Sequence, residues 1–240
     1  EGDLKKNLEF AESLKLIRDN GSKAMLHGKL AVNILSTVIK NKSNPGVMTK
    51  NDFDFVKPVL TKPICGNYRK WKVCGMGPPS SGGITVLQIL GILNNFELTS
   101  KNPNDSEVWH LFLEASKLAY TDRGYYIADS DFIDVPIEDM LDEKYLKERS
   151  KLIKKTSIIS NPKKGKFKND KTSHLGLDST SEKPSTTHLS IIDKYGNALA
   201  LTSSIEFMFG SGLMTSGFLL NNQMTDFSFY PKDKEGNLIA

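Results

Sequence analysis

The chain has 240 residues, 38% of them hydrophobic, and a formal net charge of +4. That composition is ordinary for a folded globular protein, and no run of 18 apolar residues offers a membrane-spanning helix. Residues 147–172 hold ten Lys or Arg and two acids, so the rest of the chain is net acidic. Phe167 is the lone aromatic of that basic stretch, which argues against a nucleic-acid partner.

Residues 3–41 read as helical. Leu8, Phe10, Ala11, Leu14, Leu16 and Ile17 cluster on one face, Gly21 punctuates, and Asn44-Pro45-Gly46 stops a second helix. Residues 51–60 read as a connector with a Phe-x-Phe-Val core, and a hairpin over roughly 60–68 and 71–77 follows. It contains both cysteines of the chain, Cys65 and Cys74. A turn at Asn67 to Arg69 would let the thiols face each other, but the preferred reading is two small, partly buried side chains.

Gly77 to Gly83 opens a helix through Leu87, Ile89, Leu90 and Leu93. The block lacks the Gly-Lys-Ser/Thr of a phosphate loop, so its glycines are expected to serve close backbone packing. Ser106 is expected to cap the next helix, whose apolar face is Val108, Leu111, Phe112, Ala115, Leu118 and Ala119. Its Glu114, Lys117, Asp122 and Arg123 read as exposed ion pairs. Residues 147–185 lose hydrophobic periodicity and fill with Lys, Ser, Thr, Asn and Pro, as a flexible basic linker does. The histidines at 27, 110, 174 and 188 have no metal-ligand spacing, and neither a metal nor a cofactor is expected.

Strand-like sequence resumes at Thr186-Thr187-His188-Leu189-Ser190-Ile191-Ile192, and after a Gly-containing turn a second strand runs from Ala198 to Ser204. A threonine at the head of a strand, after a long polar segment ending in Ser185, suits an N-terminal nucleophile. Once the preceding peptide bond is cut, hydroxyl and α-amine sit on one residue, and the amine can activate the hydroxyl.

Three further blocks accompany it: Gly77-Pro-Pro-Ser-Ser-Gly-Gly83, Phe209-Gly-Ser-Gly212, and Gly217-Phe-Leu-Leu-Asn-Asn-Gln-Met-Thr-Asp-Phe-Ser228. With Thr-Thr-His-Leu-Ser, in this order and spacing, the chain resembles the γ-glutamyltranspeptidases, with their related γ-glutamyl hydrolases and cephalosporin acylases. The resemblance implies an α/β fold, the four-layer αββα sandwich of N-terminal-nucleophile hydrolases. It implies that residues 1–185 are the C-terminal part of a large subunit and 186–240 the start of a small, catalytic one. It further implies self-cleavage between Ser185 and Thr186, a heterodimer of the two products, and a periplasmic or secreted location.

By the same resemblance Thr186 is the nucleophile and Ser204 orients its hydroxyl. Glu206, Gln223 and Asp226 stand where the family binds a glutamyl α-ammonium; Glu206 departs from the Asn usual there. The family's oxyanion glycines and carboxylate-binding Arg are expected outside residues 1–240, and Phe229 to Asn237 does not resemble the family's longer lid. The implied activity is γ-glutamyl hydrolysis or transfer on glutathione-like amides. An amide acylase of the same fold and a catalytically silent homologue are the rivals.

Overall fold

The computed structural model describes residues 2–167, 175–177 and 186–239. In chain order the elements are α1 (Leu8–Asn20), α2 (Lys23–Leu26), α3 (Lys29–Ile39), β1 (Ile64–Tyr68), β2 (Trp71–Gly75), α4 (Gly82–Leu93), α5 (Ser106–Tyr126), α6 (Ile137–Met140) and α7 (Glu143–Ser150). Then come β3 (Leu175–Gly176), β4 (Thr187–Ile192), β5 (Ala198–Ser203), β6 (Met214–Thr215), β7 (Phe218–Leu219) and β8 (Leu238–Ile239). The strands pair as β1–β2, β4–β5 and β6–β7, all antiparallel, and β3–β8, parallel. Two units result: Glu1–Val59 with Ser181–Phe227, and Leu60–Thr180 with Ser228–Ala240.

In the second unit the core lies between α4, α5 and α7. Leu111, Ala115, Leu118 and Ala119 of α5 recur at helical spacing and are buried against Ile89, Ile92 and Leu93 of α4, with Leu146 and Ile153. The glycine-rich block packs as expected. A Cβ on Gly83 would lie 2.3 Å from the Met76 carbonyl oxygen, so only glycine lets the start of α4 approach the end of β2. α5 begins one residue after its cap, which is Asp105 rather than Ser106.

The charged residues of α5 differ from the sequence expectation. Glu114 and Asp122 are 1% and 0% exposed. Each is buried because donors surround it, the condition under which a carboxylate can leave water. Glu114 accepts from Lys117 Nζ at 2.6 Å and from the Ile159 N–H at 2.6 Å. Burial alone would raise its pKa, but these two donors hold it below the usual range. Asp122 accepts from Arg149 Nη2 at 3.0 Å, the Gly165 N–H at 2.8 Å, Gln88 Nε2 at 3.4 Å and the Tyr145 hydroxyl. Burial pushes its carboxyl up against the pull of Arg149, and burial, with Asp122 beside it, pushes the Tyr145 hydroxyl up as well.

The same network changes the reading of the basic stretch. Arg149 is buried, and its Nη1 donates to the Lys163 carbonyl at 2.9 Å. The Tyr126 hydroxyl donates to the Gly165 carbonyl at 2.6 Å, and Phe167 packs against the rings of Tyr126 and Tyr145. Arg149, Ile153, Gly165 and Phe167 therefore anchor residues 147–167 to α5 and α7, while most of the other side chains there, Lys151 among them, remain exposed. The remainder of the expected linker, apart from 175–177, lies outside the described residues. Cys65 and Cys74 form a disulfide, against the preferred reading of two free thiols. The β1–β2 register sets them directly opposite each other, with the chain reversing at Arg69, whose φ is 54°.

In the first unit α1 presents a polar face to the β6–β7 turn. Asn7 Nδ2 donates to the Gly217 carbonyl at 2.7 Å, and Ser13 Oγ to the Ser216 carbonyl at 2.6 Å. A Cβ on Gly217 would sit 2.2 Å from the Phe10 nitrogen, so the approach requires glycine. Leu8 and Leu14, expected on a buried face, are exposed, while Ser13 is buried. Of the Phe-x-Phe-Val connector, Phe53 alone is buried.

Arg149→Ala should destabilise the protein by about 3–5 kcal/mol, because it strands a buried carboxylate. Lys151→Ala, which removes an exposed pair with Glu148, should cost less than about 1 kcal/mol. Urea titration of both variants measures the difference, and equal midpoints would contradict the buried network.

Candidate active site

β4 and β5 pair with Thr187 opposite Ser203 and His188 opposite Thr202. Side chains alternate across a strand, so Thr186, His188 and Ser190 share one face with Ser204, Thr202 and Ala200. Leu189 and Ile191, opposite Leu201 and Leu199, lie on the other face. The polar face is linked by hydrogen bonds. Thr186 Oγ1 donates to Ser204 Oγ at 2.9 Å, and the His188 ring nitrogens lie 2.8 Å from Thr202 Oγ1 and 3.2 Å from Ser190 Oγ. Thr186 sits just ahead of β4 and is exposed.

The turn between the strands fixes this register. Asp193 Oδ1 accepts from the N–H groups of Tyr195 and Asn197, both at 2.9 Å, and Gly196 takes φ 86°. The Asn197 side chain and these N–H groups hold the Asp193 carboxyl below its usual range. The same Asp-Lys-x-Gly-Asn turn recurs at Asp233–Asn237, where it leads into β8.

After β5 the chain turns sharply. The Glu206 N–H donates to Ser204 Oγ at 2.9 Å, with Glu206 at φ 66°. Glu206 is 9% exposed, and its Oε2 accepts from Asn222 Nδ2 and Thr225 Oγ1. Gln223 Nε2 donates to Asp226 Oδ2 within the 3₁₀ turn Gln223–Asp226. The two glycine-bearing motif blocks meet here: Ser211 N–H donates to the Leu220 carbonyl at 2.9 Å, and a Cβ on Gly210 would lie 2.1 Å from the same oxygen.

Of the residues singled out in sequence, Thr186 and Ser204 are thus brought into contact, and Glu206 joins them through its N–H. Gln223 and Asp226 bond to each other, and Ser185 lies outside the described residues. Asn222 and Thr225 were missed as partners of Glu206. The signal available was the Asn-x-x-Thr spacing, in which a turn-forming Asn and a hydroxyl fall on one side of a tight turn. Among the described residues, no group of three His, Cys, Asp or Glu could hold a metal, and no helix is long and apolar enough to cross a membrane.

Residues 1–239 match the gamma-glutamyltranspeptidase family along almost their entire length. The chain is 38% identical over 232 residues to a glutathione hydrolase proenzyme of Escherichia coli, covering 96% of this chain and 38% of that one. It is 32% identical over 225 residues to an acylase ACY 1 proenzyme of Pseudomonas, covering 93% of this chain and 38% of the relative. The solved gamma-glutamyltranspeptidase of Helicobacter pylori superposes with a TM-score of 0.66 at 32% identity, over 72% of this chain and 49% of that chain. The chain belongs to the gamma-glutamyltranspeptidase family. Its fold is the α/β fold of the N-terminal-nucleophile hydrolases, of which it carries a part. It spans about 40% of the length of the curated relatives it matches.

The close packing of the two glycine blocks is directly testable. Gly210→Ala should lower stability by about 2 kcal/mol or more, since it adds a clash to a left-handed backbone. Gly196→Ala, at φ 86° with nothing within 4 Å of the added carbon, should cost about 1 kcal/mol. Thermal melts of the two variants should rank in that order.

Proposed function

We propose that this chain surrounds the nucleophile of a γ-glutamyl hydrolase or transferase that matures by cutting itself between Ser185 and Thr186. The observation that carries this reading is the 2.9 Å hydrogen bond from Thr186 Oγ1 to Ser204 Oγ at the head of β4. In the precursor the Thr186 hydroxyl attacks the Ser185 carbonyl. An N-to-O acyl shift makes an ester, and water cleaves it. The freed α-amine has a reference pKa of about 8 and serves as base near neutral pH. Thr186 then takes the acyl group of a γ-glutamyl amide such as glutathione, releases the amine, and passes the acyl group to water or to an acceptor amine. Gln223, Asp226 and the Glu206 oxygen not engaged by Asn222 are proposed to receive the α-ammonium. Opposite charge at these carboxylates suits a cation.

The two proposed subunits, residues 1–185 and 186–240, contribute to both structural units, which supports a heterodimer that stays together after the cut. In the first unit, Asn7, Ser13 and Asn33 from before the cut bond Ser216 and Gly217 from after it. In the second, β3 pairs with β8 across the same boundary. The Cys65–Cys74 disulfide fits an oxidising compartment such as the periplasm or the exterior. An acylase acting on other amides is the second reading, supported by the 32% identity to the Pseudomonas acylase proenzyme.

The full-length protein should mature into two associated chains, one beginning at Thr186. Thr186→Ala should remain one chain, and Ser204→Ala, which removes the oxygen that accepts from Thr186 Oγ1, should slow turnover by about 10² or more, the scale of losing one positioned hydrogen-bonding group. Gel analysis with N-terminal sequencing reads the first, and steady-state kinetics the second. Cleavage that persists in Thr186→Ala, or full turnover in Ser204→Ala, refutes the assignment.

Substrate class is read by comparing γ-glutamyl anilide with glutaryl anilide, the same acyl chain without the amine. A charged hydrogen bond is worth about 1.5–3 kcal/mol, so kcat/KM should favour the γ-glutamyl compound at least about tenfold. Equal or reversed values would make the acylase the better reading.

A further inference from the structure

Glu206 occupies an unusual position for reasons that its expected contact with a substrate does not explain. Its φ of 66° lies in the left-handed region, which residues other than glycine rarely adopt and which persists only where surrounding contacts over-determine it. Those contacts come from two residues. The Asn222 N–H donates to the Ile205 carbonyl at 3.2 Å, Asn222 Oδ1 accepts from the Phe207 N–H at 3.0 Å, and Asn222 Nδ2 donates to Glu206 Oε2. The Thr225 hydroxyl meets the same Oε2 and accepts from Asn222 Nδ2 at 3.0 Å. Asn222 thus holds the residues on both sides of Glu206 as well as its side chain.

The consequence reaches the nucleophile. With its backbone turned in this way, Glu206 aims its N–H at Ser204 Oγ, 2.9 Å away. The same oxygen accepts from Thr186 Oγ1 at 2.9 Å. A backbone N–H has no rotor of its own, so it fixes where the Ser204 oxygen sits and keeps it available as the acceptor for Thr186. We propose that Asn222 and Thr225 are positioning residues. By clamping Glu206 they set the Ser204 hydroxyl against Thr186, and they tie the segment carrying Gln223 and Asp226 to the same anchor. This rests on the reading of Thr186 as the nucleophile.

Self-cleavage separates positioning from recognition, because it needs no bound substrate. In the full-length protein, Thr225→Val keeps the side-chain shape but loses the hydroxyl. It should slow both self-cleavage and kcat by about tenfold or more, the scale on which small misplacements act. KM for γ-glutamyl anilide rises as well where Gln223 and Asp226 shift with their segment, so the self-cleavage rate is the deciding readout. Thr225→Ser, which restores the hydroxyl, should recover both rates to within about threefold. Asn222→Asp, which removes the Nδ2 donor, should behave as Thr225→Val does. Melting temperatures of all variants, recorded alongside, confirm that folded proteins are compared. The clamp is overturned if Thr225→Val cleaves and turns over at the wild-type rate, if only KM changes, or if Thr225→Ser is as slow as Thr225→Val. Failure of wild-type protein to cleave at Thr186 would overturn the nucleophile assignment instead, so the two failures are distinguishable.

Discussion

The register of β4 against β5 is the constraint on which the candidate site depends. With Thr187 opposite Ser203, the residues just outside the ladder, Thr186 and Ser204, meet on the polar face. A slip of one residue would send that face to the other side of the sheet. The five-residue turn at Asp193–Asn197 prevents it, because a single carboxylate accepts from two backbone N–H groups and from the Asn197 side chain. At the other end of β5, the Glu206 backbone closes on Ser204 and is in turn held by the Asn222–Thr225 segment. The site is thus fixed by a turn at one end of the hairpin and a clamp at the other.

A second constraint governs the Leu60–Thr180 unit. Asp122 and Arg149 lie in the core, and neither could remain there alone. Their requirement for partners draws in Tyr145, Gln88 and the Gly165 backbone, and so folds the residues after α7 back onto α5. Gly165 takes part because a Cβ there would strike the Tyr145 hydroxyl. The stretch that leads toward the proposed cleavage point is therefore anchored by a buried ion pair.

Much of the fold was legible in the sequence because it rests on short-range signals. The hairpin at 64–75, the start of α4 at its glycines, the apolar rows of α5 and the β4–β5 pair follow from periodicity and turn chemistry. The pairing of Thr186 with Ser204 followed from family motifs. What was not legible depends on partners distant in sequence. Arg149 looked like one more cation in a basic run, and Glu114 and Asp122 like surface charges, because burial is a property of what packs on them. The cysteines were left apart because their spacing alone does not fix a register. Asn222 and Thr225 escaped notice because their target, Glu206, lies sixteen and nineteen residues away.

The central claim is that the acyl group passes through Thr186. The most direct test is to quench the matured full-length protein during turnover of a γ-glutamyl ester and to map the trapped adduct by peptide mass spectrometry. The account predicts one γ-glutamyl group, on the peptide that begins at Thr186 and on its side-chain oxygen. An adduct on Ser204, Ser190 or any other residue would contradict it.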